Sequence, residues 1–271
     1  MEHPKSFLNN DMATNYQNVW EHPITVEYHD DQWSLDKEST KSFAKFFGSE
    51  ISKSRFCVDL GCGVGAATSY LANQFKETKF LGVDNSTKLI EKAKSVSLDR
   101  KISNIEFKTG DIFNLKMTKK TIDGVISLAT LSWLSEIKTP MIQIFTKLKP
   151  KWIGISSLFY DGEISCTTEV IENISGRKFY YNTYSVQELD RLSKLYGYKV
   201  AEYNQFDIGI DLPRPKNLNF MSTYTQKLSG AKMNRIQISG PLMLNWYFIK
   251  LKKFKSNLNA THKFYSQKKN T

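Results

Sequence analysis

The stretch Val58 to Leu71, VDLGCGVGAATSYL, sets Gly61, Gly63 and Gly65 at alternate positions behind Asp59. Glycines so spaced let the backbone turn tightly and leave no Cβ where a ligand must approach. Amides at the start of a following helix would face that ligand. A phosphate-cradling P-loop needs a Lys-Ser/Thr pair after its glycines, but Ala66-Ala67 stand there, so ATP hydrolysis is not expected. A dinucleotide fingerprint is spaced G-x-G-x-x-G, and here the third glycine comes one residue early. Two further acids follow. Asp84 stands nineteen residues after Gly65, where a carboxylate at a strand end can accept both hydroxyl protons of a ribose. Asp111, in GDIF, can take an adenine amino proton while Ile112 lies against the ring.

These acids need strand ends to hold them, and the sequence pattern supplies them. FCVDL is a short apolar strand, after which Ala67, Leu71 and Phe75 recur at helical spacing. KFLGVD is a second strand, Ser86 caps a helix carrying Leu89, Ile90, Ala93 and Val96, and NIEFKTGD is a third strand. IDGVISLA is the fourth, LSEIKTPMIQIFTKLK a helix, and KWIGISSLFY the fifth. SVQELDRLSKLYG carries a Ser185/Glu188 capping box and Gly197 as its stop. YKVAEYNQF is the sixth strand and PLMLNWYFIKLKK the last. Such alternation implies a doubly wound, mostly parallel sheet with helices on both faces, whose ligands sit at the carboxyl ends of the strands.

A GxGxG turn beside the first of three acids at successive strand ends resembles the class I S-adenosylmethionine-dependent methyltransferases, well over about Phe56 to Tyr160. The resemblance implies a Rossmann-like α/β fold: a seven-stranded sheet with an antiparallel last strand, an N-terminal helical lid and an insertion before that strand. Residues 1–50 are then the lid segment, 51–255 the methyltransferase domain with 207–240 as a substrate-covering insertion, and 256–271 a basic tail. By the same likeness the cofactor is S-adenosylmethionine. Asp59 lies close to its methionyl amino group, and Gly61, Cys62, Gly63 and Gly65 line the methionine moiety. Asp84, with Asn85 beside it, holds the ribose, Asp111 and Ile112 serve the adenine, and Leu128 and Ala129 border the transferable methyl.

The motif after the fourth strand, SLATLSWL, is neither the Asn/Asp-Pro-Pro-aromatic motif of amino methylation nor the Pro-Cys of cytosine carbon methylation. The Asp-plus-histidine metal arrangement of catechol methyltransferases is also missing, so no metal is expected. ATLSWL looks like the LxWL stretch of methyltransferases that act on trans-aconitate or a malonyl thioester. Trp133 then faces the acceptor or packs the following helix. Only a protonated acceptor needs a base. His29, with His22, lies in the lid segment and Asp161, with Glu163, follows the fifth strand; His29 and Asp161 are the candidates if the acceptor is a hydroxyl. Tyr181, with Tyr180 and Tyr184, walls the pocket or anchors the capped helix.

Charge narrows the acceptor. The net charge is +11, yet residues 1–211 hold 26 basic and 27 acidic groups, and no acid follows Asp211. The excess lies in the last sixty residues, where Arg214, Lys216 and Arg235 could meet a phosphate or carboxylate. Alternation around Ser229-Gly230 suggests a hairpin there. The expected partner is a small anionic acceptor, methylated on oxygen: a sugar or nucleotide-linked intermediate, or an organic acid. An RNA-modifying enzyme using the basic C-terminal region and a non-catalytic cofactor-binding module are the alternatives. Three cysteines without disulfide or metal spacing, no signal peptide and no apolar run of about 18 residues suggest a cytoplasmic protein.

Overall fold

The computed structural model describes residues 31–116, 121–172, 176–213, 223–227, 235–238 and 246–253. His29, Arg214 and the Ser229-Gly230 turn lie outside these residues. Helix α1 (Glu38–Ser52) buries Phe43, Ala44, Phe47 and Ile51, a stripe at helical spacing. Then β1 (Phe56–Leu60), α2 (Ala66–Gln74), β2 (Lys79–Asp84), α3 (Thr87–Asp99) and β3 (Ile105–Thr109) alternate as expected. They are followed by β4 (Gly124–Leu128), a one-turn 3-10 helix (Leu131–Trp133) and α4 (Lys138–Gln143), which passes into a π turn (Ile144–Leu148) before β5 (Trp152–Tyr160).

The helix expected over Leu134–Lys149 is shorter for a local reason. Pro140, lacking an N–H, fits only the first turn, where that N–H has no intrahelical partner. Glu136 caps that turn by accepting the Thr139 N–H. Further on come β6 (Glu169–Glu172), β7 (Arg177–Tyr180), β8 (Tyr184–Ser185), α5 (Val186–Lys194), β9 (Tyr198–Phe206), β10 (Tyr224–Lys227), β11 (Arg235–Ile238) and β12 (Trp246–Lys253). The Ser185 hydroxyl accepts the Glu188 N–H at 3.1 Å, as the capping sequence requires.

The main sheet runs β3-β2-β1-β4-β5-β12-β9, parallel except for β12, which is antiparallel to both neighbours. Strand order reverses between β1 and β4, the place where open α/β sheets bind ligands. Two features go beyond the expected seven strands. The two-residue β8 pairs with the end of β5, and β6 and β7 form a separate antiparallel ribbon between them. Between β9 and β12 in the chain, β10 and β11 pair antiparallel, with Lys227 opposite Arg235.

Apolar layers cover both faces. One joins Val58, Val125 and Ile155 to Met141, Ile144 and Leu189 of α4, the π turn and α5. The other joins Cys57 and Ile126 to Phe43 and Phe47 of α1 and Leu71 of α2. At the base of β4 the Trp152 indole lies over Gly124, stacks on Phe47 and donates to the Ser54 hydroxyl at 2.9 Å. A Cβ at position 124 would come within 2.3 Å of that ring. Gly124→Ala is therefore expected to destabilise the fold by about 1–3 kcal/mol through overpacking, read as a lower urea midpoint with an unchanged slope.

Candidate active site

The ends of β1, β2 and β4 are tied into one surface by backbone hydrogen bonds. The N–H groups of Gly61 and Cys62 both donate to the Val83 carbonyl, at 2.7 and 3.1 Å, which folds the glycine turn over β2. Gly63 donates its N–H to Asp84 Oδ2 at 2.8 Å, and Ser86 donates to Asp84 Oδ1 at 3.0 Å. One carboxylate thus braces the turn and the start of α3. On the other side, the Thr130 hydroxyl donates toward the Gly61 and Leu128 carbonyls at 3.1 and 3.2 Å.

The glycines are required here. Gly61 has φ 75°, and a Cβ on it would lie 2.3 Å from Thr130. Gly65 has φ 79°, and a Cβ there would meet the Phe107 ring at 2.5 Å, so it lets α2 close on the sheet. At Gly63 nothing stands within 4 Å of the same construction. That open side is the one a ligand can approach.

Asp59 is only 1% exposed at the end of β1. Its Oδ2 accepts the Thr68 hydroxyl of α2 at 2.5 Å, while its buried Oδ1 has no hydrogen-bond partner. Burial pushes its carboxyl up to about 7; the Thr68 hydrogen bond opposes that shift and the nearby Asp84 adds to it. An ammonium group is the partner that would relieve it. The Cys62 thiol, lying against Gly82, is also pushed upward by burial and by Asp84 and Asp59, and so stays neutral. Asp111 accepts the Phe113 N–H at 2.8 Å, closing a turn that leaves Ile112 half-buried beside it. Asn85 lies between Asp84 and the α3 cap.

At the end of β4, Leu128 is half-buried and Ala129 is exposed in the left-handed region, φ 56°, with its N–H held by the Ser156 carbonyl at 2.7 Å. A non-glycine residue there is strained, a feature that clusters at functional sites. The following 3-10 turn carries Trp133, whose ring meets Tyr181 edge-on at 4.7 Å and Phe179 at 5.6 Å. Buried polar groups lock this turn. Ser132 and Ser157 share a hydrogen bond of 2.6 Å, and Asn182 donates its N–H to the Ser132 carbonyl and its side chain to the Leu134 carbonyl. Tyr184 is buried, and its hydroxyl donates to the Leu131 carbonyl of the same turn at 3.3 Å.

The remaining described candidates already hold partners. Asp161 accepts the Tyr203 hydroxyl at 2.6 Å, which draws it toward the outer strand β9. Arg235 is ion-paired with Asp211 at 2.6 Å, and Lys227 joins the same carboxylate at 3.0 Å. Among the described residues no group of three or more His, Cys, Asp or Glu side chains is placed to hold a metal. Sequence reasoning alone misses Thr68 and Thr130. A threonine at a core-facing position of α2 was the available signal for Thr68; Thr130 was marked only by following the motif strand.

Residues 51–209 match the family model described as a methyltransferase domain. The chain belongs to that family. It is 32% identical over 117 residues to a malonyl-[acyl-carrier protein] O-methyltransferase of Priestia megaterium, covering 43% of this chain and 40% of the relative. It is 29% identical over 127 residues to a trans-aconitate 2-methyltransferase of Deinococcus radiodurans, covering 46% of each. The match thus spans less than half of these relatives' lengths. The fold is similar to that of Burkholderia thailandensis 1,6-didemethyltoxoflavin-N1-methyltransferase, solved with S-adenosylhomocysteine, at a TM-score of 0.58 and 17% identity over 94% of both chains. S-Adenosylmethionine is the methyl donor of this family, and the methyltransferase-domain strand ends fit it: a buried carboxylate oxygen without a partner, an open glycine turn and an acid at the end of β2.

Replacing Asp84 by Ala is expected to weaken S-adenosylhomocysteine binding by about 1.5–3 kcal/mol, because hydrogen bonds to a charged group are lost; calorimetry on the folded variant checks this. The Asp59 value sets a pH dependence. A carboxyl raised from 3.8 to about 7 on folding makes the empty protein lose stability as pH rises from the lower value to the upper. If Asp59 takes the cofactor's ammonium, cofactor binding is expected to have the opposite slope. As pH falls below about 7 the carboxyl is neutralised and affinity drops by up to about tenfold per unit. Asp59→Asn should flatten the binding profile.

Proposed function

We propose that this chain methylates an oxygen of a small anionic acceptor, most specifically a carboxylate of an organic acid, using S-adenosylmethionine. The observation that carries the reading is the strained Ala129 and the aromatic turn after it, locked beside the glycine turn through Thr130. S-Adenosylmethionine supplies a methyl already activated for in-line displacement. What the protein must add is placement of the acceptor about 3 Å from that methyl with its lone pair aligned.

In this reading Asp59 takes the methionyl ammonium on its unpaired oxygen, Asp84 and Asn85 take the ribose, and Asp111 and Ile112 take the adenine. Leu128 and Ala129 border the methyl, and Trp133, backed by Tyr181 and Phe179, is the acceptor wall. A carboxylic acid is ionised at neutral pH and needs no general base. Asp161, engaged by Tyr203, supports that chemistry over one requiring proton removal. The Lys227–Asp211–Arg235 cluster holds two cations against one anion and suits an acceptor carrying negative charge. The carboxylate-acting names of the two relatives support the same class.

The test is a radiolabelled-methyl screen across pooled carboxylic acids, sugar nucleotides and total RNA. A product whose label is released as methanol by alkali is expected from the carboxylic acids. Base-stable label, or label retained on RNA, overturns the reading. With the acceptor found, Arg235→Gln should raise its KM several-fold and leave S-adenosylhomocysteine affinity unchanged.

A further inference from the structure

A cavity of about 230 Å3 lies between the segment entering α1 and the outward face of α2, reaching Ala66 at the end of the glycine turn. Trp33 and Asp36 line one side, Ser69, Tyr70 and Asn73 the other, and Arg100, following α3, contributes to its wall. Ser69 and Asn73 share a stripe of α2 at helical spacing, opposite the core-facing Thr68, Leu71 and Ala72.

Two polar atoms on its lining are buried and unmatched. Ser69 is 1% exposed, and its hydroxyl has no hydrogen-bond partner. A serine inside a helix commonly bonds back to the carbonyl four residues earlier, yet here that carbonyl, of Gly65, receives only the Ser69 N–H. The Trp33 indole N–H, which can only donate, is likewise buried without an acceptor. Leaving such groups unmatched is costly, and an acceptor-rich ligand in the cavity would match them. Arg100 is held at the wall by donating to the Trp33 carbonyl at 2.6 Å and by lying 4.8 Å from the centre of the Trp33 ring, with further N–H groups on its guanidinium.

We propose that this cavity binds a small carboxylate-bearing metabolite of about amino-acid size, at a site separate from methyl transfer. The carboxylate would take the Trp33 indole N–H and the Arg100 guanidinium, a geometry that suits planar anions. The Ser69 hydroxyl would bond to it from the helix side. Asp36 supplies the complementary acceptor for an ammonium or hydroxyl on the same molecule. The cavity is smaller than the range of about 300–1,000 Å3 that holds drug-sized ligands, which limits the occupant to a metabolite.

The test titrates the full chain with glycine, L-glutamate and L-malate, and with glycerol as an uncharged control, observing the 15N-labelled Trp33 indole assigned through Trp33→Phe. At least one carboxylate should shift that signal saturably, with a Kd of about 1 mM or tighter, while glycerol does not. Arg100→Gln and the near-isosteric Ser69→Ala should each weaken binding several-fold. Without ligand, Ser69→Ala should melt at a higher temperature than the parent, since it removes an unmatched hydroxyl. The proposal is overturned by no saturation with any carboxylate, by an equal response to glycerol, by displacement with S-adenosylhomocysteine, by undiminished binding to Ser69→Ala, or by a lower melting temperature of that variant.

Discussion

Asp59 is a carboxyl group withdrawn from water with one oxygen left without a hydrogen. Removing a charge from water disfavours the charged form unless something compensates it. The Thr68 hydroxyl compensates part and nothing in the described protein compensates the rest. The geometry around Asp59 keeps that oxygen waiting: α2 closes over it because Gly65 lets the helix come down on Phe107, and β1 is held between β2 and β4. A ligand ammonium would turn this local penalty into binding energy and specificity.

The same economy governs the turn above it. Asp84 braces Gly63 and starts α3 with its two oxygens, while the Val83 carbonyl receives two N–H groups of the turn. Thr130 crosses from β4 to the Gly61 carbonyl, in the space a side chain at position 61 would fill. The glycine turn and the turn after β4 are therefore joined by a direct hydrogen bond.

Away from the site, the sheet is closed by charge as well as apolar packing. Lys250 of β12 is 7% exposed at its side chain, lies between Glu50 of α1 and Glu202 of β9, and has its ammonium over the Phe46 and Phe47 rings. A buried lysine tolerates this setting because it is paired on both sides. It ties the antiparallel strand to both neighbouring elements without entering the chemistry.

The alternation of strands and helices, the glycine turn and the acids at Asp59, Asp84 and Asp111 were legible in the sequence because each rests on local rules: period, capping, and the backbone freedom of glycine. The Ser185 cap was legible for the same reason, whereas the register of β10 with β11, Lys227 opposite Arg235, was not. What only the tertiary structure decided involves partners distant along the chain. Thr68 faces Asp59 nine residues away, but its role follows from α2 closing on the sheet. Asn182 reaches Leu134 across 48 residues, and Tyr203 reaches Asp161 across 42, which draws that acid toward β9. The β6–β7 ribbon that places Phe179 behind Trp133, and the unmatched Ser69 and Trp33, depend on which surfaces meet. Residue type and spacing determine which groups a segment can offer; burial and long-range contact determine which of them remain unpaired, and so available to a ligand.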